Sequence, residues 1–150
     1  MKEKKFAFIG GIVMLIIGLL AFYPGLNKSA EGLPDLNVGA SYGVFLNVLP
    51  MNIFNKLSFI FLGLAGLAVS GKERSNKPAI KYARWVFWIM CAFTLFGLFR
   101  QTNTLFGYWP LFGGEVLFHA VIAMFAGYFG YNAAARNTLG NQRNEKKMVS

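Results

Sequence analysis

The sequence predicts an all-α integral membrane protein, folded as a bundle of four transmembrane helices. The chain of 150 residues is 55% hydrophobic and only 14% charged, whereas soluble domains are roughly 45–50% apolar and ~25% charged. Four apolar stretches each approach the ~20 residues that a helix needs to cross ~30 Å of hydrocarbon. Within a membrane domain of residues 1–135, these stretches are residues 6–23, 51–70, 82–99 and 115–135.

The first stretch follows a short basic segment, as the apolar core of a secretory signal peptide would. Its uninterrupted apolar run, residues 6–22, is longer than the ~7–15 residues usual for such a core. No pair of small residues marks a cleavage site, because Tyr23-Pro24-Gly25 follows directly. We therefore predict a retained first span.

The connection between the first two spans, residues 24–50, changes character along its length. It begins with turn-forming and polar residues and ends in an apolar patch, residues 43–50. The patch is too short to span a bilayer, and bare backbone cannot face lipid. We expect it to lie in the membrane interface or to cap the bundle. Beyond the fourth span, residues 136–150 are polar and are predicted to form a cytoplasmic tail.

The distribution of lysine and arginine predicts the orientation of the spans. Twelve of the fifteen basic residues lie at the two termini or around the connection between the second and third spans. The other side holds only Lys28, Lys56 and Arg100. By the positive-inside rule both termini are cytoplasmic. An even number of spans agrees with this, because it places both ends of the chain on the same side. The net charge of +9 therefore reflects topology, and we predict no binding of nucleic acid.

Aromatic residues support the boundaries of the spans, because amphipathic rings prefer the headgroup level. On the predicted outer side they are Tyr23, Tyr42, Tyr108 and Trp109. On the predicted inner side they are Tyr82, Trp85, Trp88, Tyr128 and Tyr131.

The second and fourth spans share a frame when Pro50 is placed on Pro110, an offset of 60 residues. Three further pairs then coincide: Gly63 with Ala123, Gly66 with Ala126 and Phe59 with His119. A weaker match sets Gly18 of the first span beside Gly97 of the third. The sequence therefore predicts two copies of a helical hairpin, related by an axis along the membrane normal.

Small residues recur where these helices would meet. Small side chains let two backbones approach closely, and such packing replaces the hydrophobic drive that lipid removes. The predicted helix-packing residues are Gly18, Gly63, Gly66, Ala123, Ala126 and Gly127. The same surfaces could serve self-association, so a homo-oligomer or a membrane-protein partner within the lipid bilayer stays open.

Four ionisable residues near the outer ends of the spans form a candidate polar cluster: Lys56, Arg100, Glu115 and His119. Glu115 and His119 are four residues apart and share one helix face. In a functional interpretation the cluster is a polar outer vestibule in which Lys56 or Arg100 keeps Glu115 ionised. In a structural interpretation Lys56 reaches the headgroups, Glu115 complements the helix N-terminus and His119 bonds a neighbouring helix.

The sequence predicts no catalytic residue, no metal site and no cofactor. One histidine cannot supply bis-histidine haem ligation or a multi-histidine metal site. The lone Cys91 excludes an internal disulfide and CxxC chemistry. Nothing in the chain resembles a Ser–His–Asp set. Asn52 and Asn55, at the start of the second span, are instead predicted to cap that helix.

Two stretches resemble a family of bacterial four-helix membrane proteins known as a domain of unknown function. Residues 51–68 are similar to its Asn-Pro-Leu-His-Asn-x-x-His motif, and residues 110–119 to its Pro-Leu-x-Gly-x-Asp-Asn-x-x-His motif. The matching positions are Asn52, Gly63, Gly66, Pro110, Leu111 and His119. Phe59 and Asn55 stand where the family has histidines, and Lys56 and Val116 where it has asparagines. The resemblance implies a four-span protein of the bacterial inner membrane and supplies no activity.

Three classes of function stay open at this point. The small size, the packing residues and the lack of predicted catalytic groups favour a non-enzymatic scaffold, accessory subunit or envelope-associated interaction protein. The first alternative is a small transporter or channel that uses the polar cluster. The second is a subunit of a quinone-linked membrane oxidoreductase.

Overall fold

The protein is described here by a computed structural model, which covers residues 2–71 and 75–132. In these ranges it is mostly helical, with four α-helices: α1 (Lys2–Leu20), α2 (Ile53–Ser70), α3 (Lys77–Leu98) and α4 (Gly114–Tyr131). The prediction of a mostly helical chain with four long helices is confirmed. The predicted tail, residues 136–150, lies outside the described residues.

Three of the described helices, α2, α3 and α4, are long and apolar enough to cross a membrane. Their length and composition indicate a membrane protein. α1 is also long, with 19 residues, but its first four are all charged. The apolar part of α1 is therefore confined to residues 6–20, which is shorter than the apolar part of each of the other three helices.

The helix ends differ from the predicted spans by a few residues. α1 begins at Lys2 and α3 at Lys77, four and five residues before the apolar stretches that predicted them. Hydropathy marks the part of a helix that suits lipid, whereas backbone hydrogen bonding continues through the charged residues at its end. In α3 a proline, Pro78, lies in the first turn, where its missing N–H costs nothing.

The prediction of an all-α fold missed a small antiparallel sheet in the connection between α1 and α2. Its strands are β1 (Asn27–Lys28), β2 (Gly43–Phe45) and β3 (Leu49–Met51), in the order β1-β2-β3. Strands of two or three residues are too short to show a period-two pattern in the sequence. The predicted apolar patch forms β2 and β3, and its Phe45 and Leu49 are buried with Met51.

α1 and α2 pack as an antiparallel pair with their backbones in contact. A Cβ atom built on Gly63 would lie 2.7 Å from the Leu15 nitrogen and 2.8 Å from the Gly11 oxygen. One built on Gly18 would lie 2.9 Å from the Lys56 oxygen, at the other end of the pair. Only glycine permits an approach this close, so these positions fix the first helical pair.

α3 and α4 form a second antiparallel pair, and the two pairs contact each other less extensively than the helices within each pair. A Cβ on Gly127 would meet the Phe87 ring at 2.9 Å. Ala123 and Ala126 are buried in the hydrophobic core. A Cβ built on Gly66 would lie 2.7 Å from the Ala7 oxygen. Each of the six predicted packing residues therefore lies either in close contact with a neighbouring helix or in the hydrophobic core.

The buried positions of the two pairs coincide under the sequence offsets. A shift of 60 residues superimposes four buried positions of α2 on four of α4: Asn55 on Glu115, Phe59 on His119, Gly63 on Ala123 and Gly66 on Ala126. A shift of 79 residues sets buried Ala7, Gly11 and Gly18 of α1 on buried Val86, Met90 and Gly97 of α3. The shift of 60 residues also sets residues 46 and 47 on residues 106 and 107, and all four have positive φ angles.

Gly63→Leu is expected to lower the free energy of unfolding by about 2 kcal/mol or more, because overpacking a tight contact costs ~1–3 kcal/mol. The measurement is unfolding of the purified protein in detergent, followed by circular dichroism. Gly10→Ala is the matched control, since a Cβ there meets nothing within 4 Å. We expect the control to be as stable as the parent or slightly more so. Equal losses in both variants would contradict the packing described.

Candidate functional site

Glu115 and His119 lie side by side in the first turns of α4. Gly113, with φ 64°, turns the chain into the helix, and Glu115 follows in the first turn. The spacing of four residues places both side chains on the buried face. Glu115 is 0% and His119 2% exposed, and the Glu115 Oε2 lies 3.1 Å from the His119 Nε2.

This pair is short of polar partners. Both carboxylate oxygens of Glu115 and the Nδ1 of His119 have no hydrogen-bond partner among the described residues. The 3.1 Å approach between the two side chains therefore lacks the alignment of a hydrogen bond. An isolated buried charge is costly, and neither Lys56 nor Arg100 forms an ion pair with Glu115.

Aromatic rings enclose the histidine. The Phe59 ring is nearly parallel to it, with centroids 6.4 Å apart, and the Phe93 centroid lies at 5.3 Å. Next to His119 is a cavity of about 10 Å³, which Trp109 and Asn55 also line. That volume suits one water molecule.

Lys56 is buried but does not contact Glu115. Its Nζ donates hydrogen bonds of 2.8 Å to both the carbonyl and the hydroxyl oxygen of Ser41, and it lies 5.5 Å from the centroid of the Phe22 ring. Arg100 is exposed in the turn after α3. The structure thus brings together only two of the four predicted cluster residues, and the expected ion pair of Lys56 or Arg100 with Glu115 does not form.

Asn52 is the polar residue with the most extensive connections. It is the N-cap of α2, where its Oδ1 accepts from the backbone nitrogens of Phe54 and Asn55, as predicted. Its Nδ2 donates to the carbonyl oxygens of Val38 at 3.1 Å and Tyr108 at 2.8 Å. One side chain therefore joins α2 to two connections that are far apart in the sequence.

Other asparagines join the same two connections, residues 21–52 and 99–113, which we call the loop cap. Asn55 donates from its Nδ2 to the Pro110 oxygen at 3.2 Å, and Asn37 donates to the Phe106 oxygen at 3.0 Å. Burial and the nearby Asp35 carboxylate raise the pKa of Tyr42, whose hydroxyl donates to the Pro34 oxygen at 3.1 Å. These contacts close the loop cap over the ends of the helices.

The loop cap decides what Glu115 and His119 can reach. Leu111 and Pro110 of the cap are fully buried, as are the two residues of the pair. The predicted vestibule would need these side chains to face solvent, and here they face the protein interior. The sequence signalled the capping role of Asn52 and Asn55, but it gave no signal for their contacts with residues more than fifty positions away.

A much larger concavity lies on the side of the helices, between α1 and α4. This lateral groove has a volume of about 540 Å³ and is lined almost entirely by apolar side chains. Lys2 and Lys5 stand at the end of the groove that is remote from the loop cap. It contains no residue of the predicted polar cluster.

The chain belongs to the family described as Domain of unknown function (DUF4383), which matches residues 4–132. The family resemblance expected from the two motif-like stretches is therefore confirmed. No curated protein and no solved structure matches the chain.

Asn52→Ala is expected to lower the free energy of unfolding by about 3 kcal/mol, because the substitution removes a helix cap and two donors to buried carbonyls. Asn52→Ser separates the two contributions, since serine caps helices well but cannot reach Val38 and Tyr108. We expect serine to restore only about 1 kcal/mol and to leave residues 24–50 more sensitive to protease. Full recovery by serine would mean that Asn52 acts as a helix cap alone.

Proposed function

We propose that the protein crosses the bacterial inner membrane four times, with both termini in the cytoplasm, and acts by binding rather than by catalysis or transport. An accessory or scaffold subunit of the cell envelope fits this description. The position of α1 supports the fourth span. α1 lies against α2 from Gly11 beside Gly63 to Gly18 beside Ile60, so the two helices share the same depth.

The matching burial patterns support two repeated hairpins. Buried positions recur at constant offsets from α1 to α3 and from α2 to α4. Phe59 and His119, which occupy equivalent positions, stack on each other, as residues beside a pseudo-two-fold axis would. Such an axis along the membrane normal places both hairpins in one orientation, and the basic residues of the α1 and α3 starts then face the cytoplasm.

The observation that carries a binding role is the closed loop cap. Asn52 and Asn55 use their polar groups to tie loops together, and Glu115 and His119 face a cavity no larger than a water molecule or the protein interior. A transporter or channel needs a path that ions or solutes can follow. A concavity large enough for a ligand is instead the lateral groove, which opens toward the membrane.

A second candidate, proton-linked transport, rests on the Glu115–His119 pair alone. Buried ionisable residues within membrane helices are often parts of proton relays. The pair holds atoms without hydrogen-bond partners, and a rearranged loop cap would expose them. This candidate makes a prediction about proton flux that the binding role does not.

The orientation can be tested with single cysteines in a Cys91→Ala background. Ser29→Cys lies in the loop cap and Ser75→Cys in the connection between α2 and α3. In intact spheroplasts we expect a membrane-impermeant maleimide to label position 29 and to label position 75 only after the membrane is permeabilised. Labelling of both positions, or the reverse pattern, would exclude the proposed topology.

Proton flux tests the choice between the two roles. Liposomes that contain the purified protein, a pH-sensitive dye and a potassium diffusion potential should acidify no faster than protein-free liposomes. His119→Phe is the matched control, because phenylalanine already occupies the equivalent position of α2 at Phe59. Proton flux that is present in the parent protein and absent in His119→Phe would contradict the binding role and support transport.

A further inference from the structure

The lateral groove is long, narrow and apolar along its walls. Its α1 wall runs from Lys2 to Met14 and its α4 wall from Phe118 to Phe129. At 1.5 Å per residue, the α1 wall is ~18 Å long. Half of a ~30 Å hydrocarbon core is ~15 Å. The groove therefore extends from one face of the bilayer to about its middle, which is the depth of one leaflet.

The end of the groove carries positive charge. Lys2 and Lys5 are both exposed there. The nearest acidic residue along the helix, Glu3, is buried on another face and accepts a hydrogen bond of 3.2 Å from the Asn76 Nδ2. Basic residues at the cytoplasmic end of a membrane helix attract anionic lipid headgroups. An apolar groove with a cationic end is complementary to an anionic phospholipid, which has apolar acyl chains and a negatively charged phosphate.

The floor of the groove offers no competing polar function. Tyr82 reaches it, but the Tyr82 hydroxyl donates to the Leu62 oxygen at 2.9 Å and is used within the protein. The remaining wall residues between the lysines and the far end are hydrocarbon or thioether side chains. A hydrocarbon chain therefore fits this surface better than a polar solute does.

We propose that the lateral groove binds one anionic phospholipid of the cytoplasmic leaflet, with an acyl chain along the groove and the phosphate beside Lys2 and Lys5. The placement in that leaflet rests on the proposed topology. The site differs from ordinary contact with bulk lipid in two ways. It is concave over the depth of a leaflet, and its two lysines select for negative charge.

The large side chains that line the groove argue against a protein helix as the occupant. Membrane helices pack through small residues. The walls here carry large ones such as Phe6, Phe125 and Phe129, with Gly10 as the exception.

Gly10 provides the sharpest test. A Cβ at this position meets nothing within 4 Å, so Gly10→Leu places a side chain in the groove without disturbing the protein around it. Gly39→Leu is the matched control, because a Cβ at Gly39 also meets nothing within 4 Å and the residue lies in the loop cap. Val13→Phe fills the groove from a second position. Circular dichroism and gel filtration establish that each variant folds.

The lysines are tested by charge removal. Lys2→Gln with Lys5→Gln removes two charges at the groove, and Lys77→Gln with Lys81→Gln removes two charges at the corresponding end of α3. The full-length protein in neutral detergent is titrated with phosphatidylglycerol or phosphatidylcholine, and bound lipid is measured by native mass spectrometry. Lipid binding in detergent does not depend on the orientation of the protein in a cell. The lipid-binding proposal and the proposed topology can therefore be contradicted independently of each other.

We expect phosphatidylglycerol to bind roughly tenfold more tightly than phosphatidylcholine, and the Lys2/Lys5 variant to lose that preference. Gly10→Leu and Val13→Phe should weaken both lipids about tenfold, while the two control variants stay within about twofold of the parent. Unchanged lipid binding in Gly10→Leu and Val13→Phe would overturn the proposal. So would a parent dimer that Gly10→Leu dissociates, or a co-purifying protein that Gly10→Leu releases, because each assigns the groove to a protein.

Discussion

One side chain, that of Asn52, satisfies four backbone groups from three segments of the chain. It accepts from the nitrogens of Phe54 and Asn55 and donates to the oxygens of Val38 and Tyr108. Near lipid, backbone groups that lack an internal partner are costly, because little water is available to replace it. The start of α2, the fold of the loop cap and the closure of the space above α4 therefore depend on the same residue.

The two helical pairs use equivalent positions for different purposes. Asn55 of α2 reaches the Pro110 oxygen, whereas Glu115, its counterpart in α4, finds no hydrogen-bond partner among the described residues. Phe59 and His119 are equivalent and stack on each other. If the two pairs arose from one hairpin, the first pair uses its polar residue at this position, Asn55, to hold a loop in place. The second holds the buried Glu115 and His119 side chains beneath the closed loop cap.

The loop cap closes the end of the helices, whereas the side of the molecule is open at the lateral groove. The polar residues face inward and hold the protein together, while the lateral groove between α1 and α4 stays accessible from the membrane. A membrane protein that meets its ligand laterally needs no passage through its centre. The tight glycine contacts hold α1, which forms one wall of the groove, firmly against α2.

The sequence by itself determined the helical class, the approximate helix positions and the family, because each is written in local composition or in short spacings. It also placed Glu115 beside His119, since four residues make one helical turn. Only the tertiary structure decided the strands β1 to β3, the separation of Lys56 and Arg100 from Glu115, and the ties from Asn52 to Val38 and Tyr108. Those features join residues up to 56 positions apart, and their energies depend on how two helical pairs and two loops fit together. Hydropathy and periodicity report the environment of a residue along its own helix, whereas contacts of this kind are set by the three-dimensional packing of segments that the sequence keeps apart.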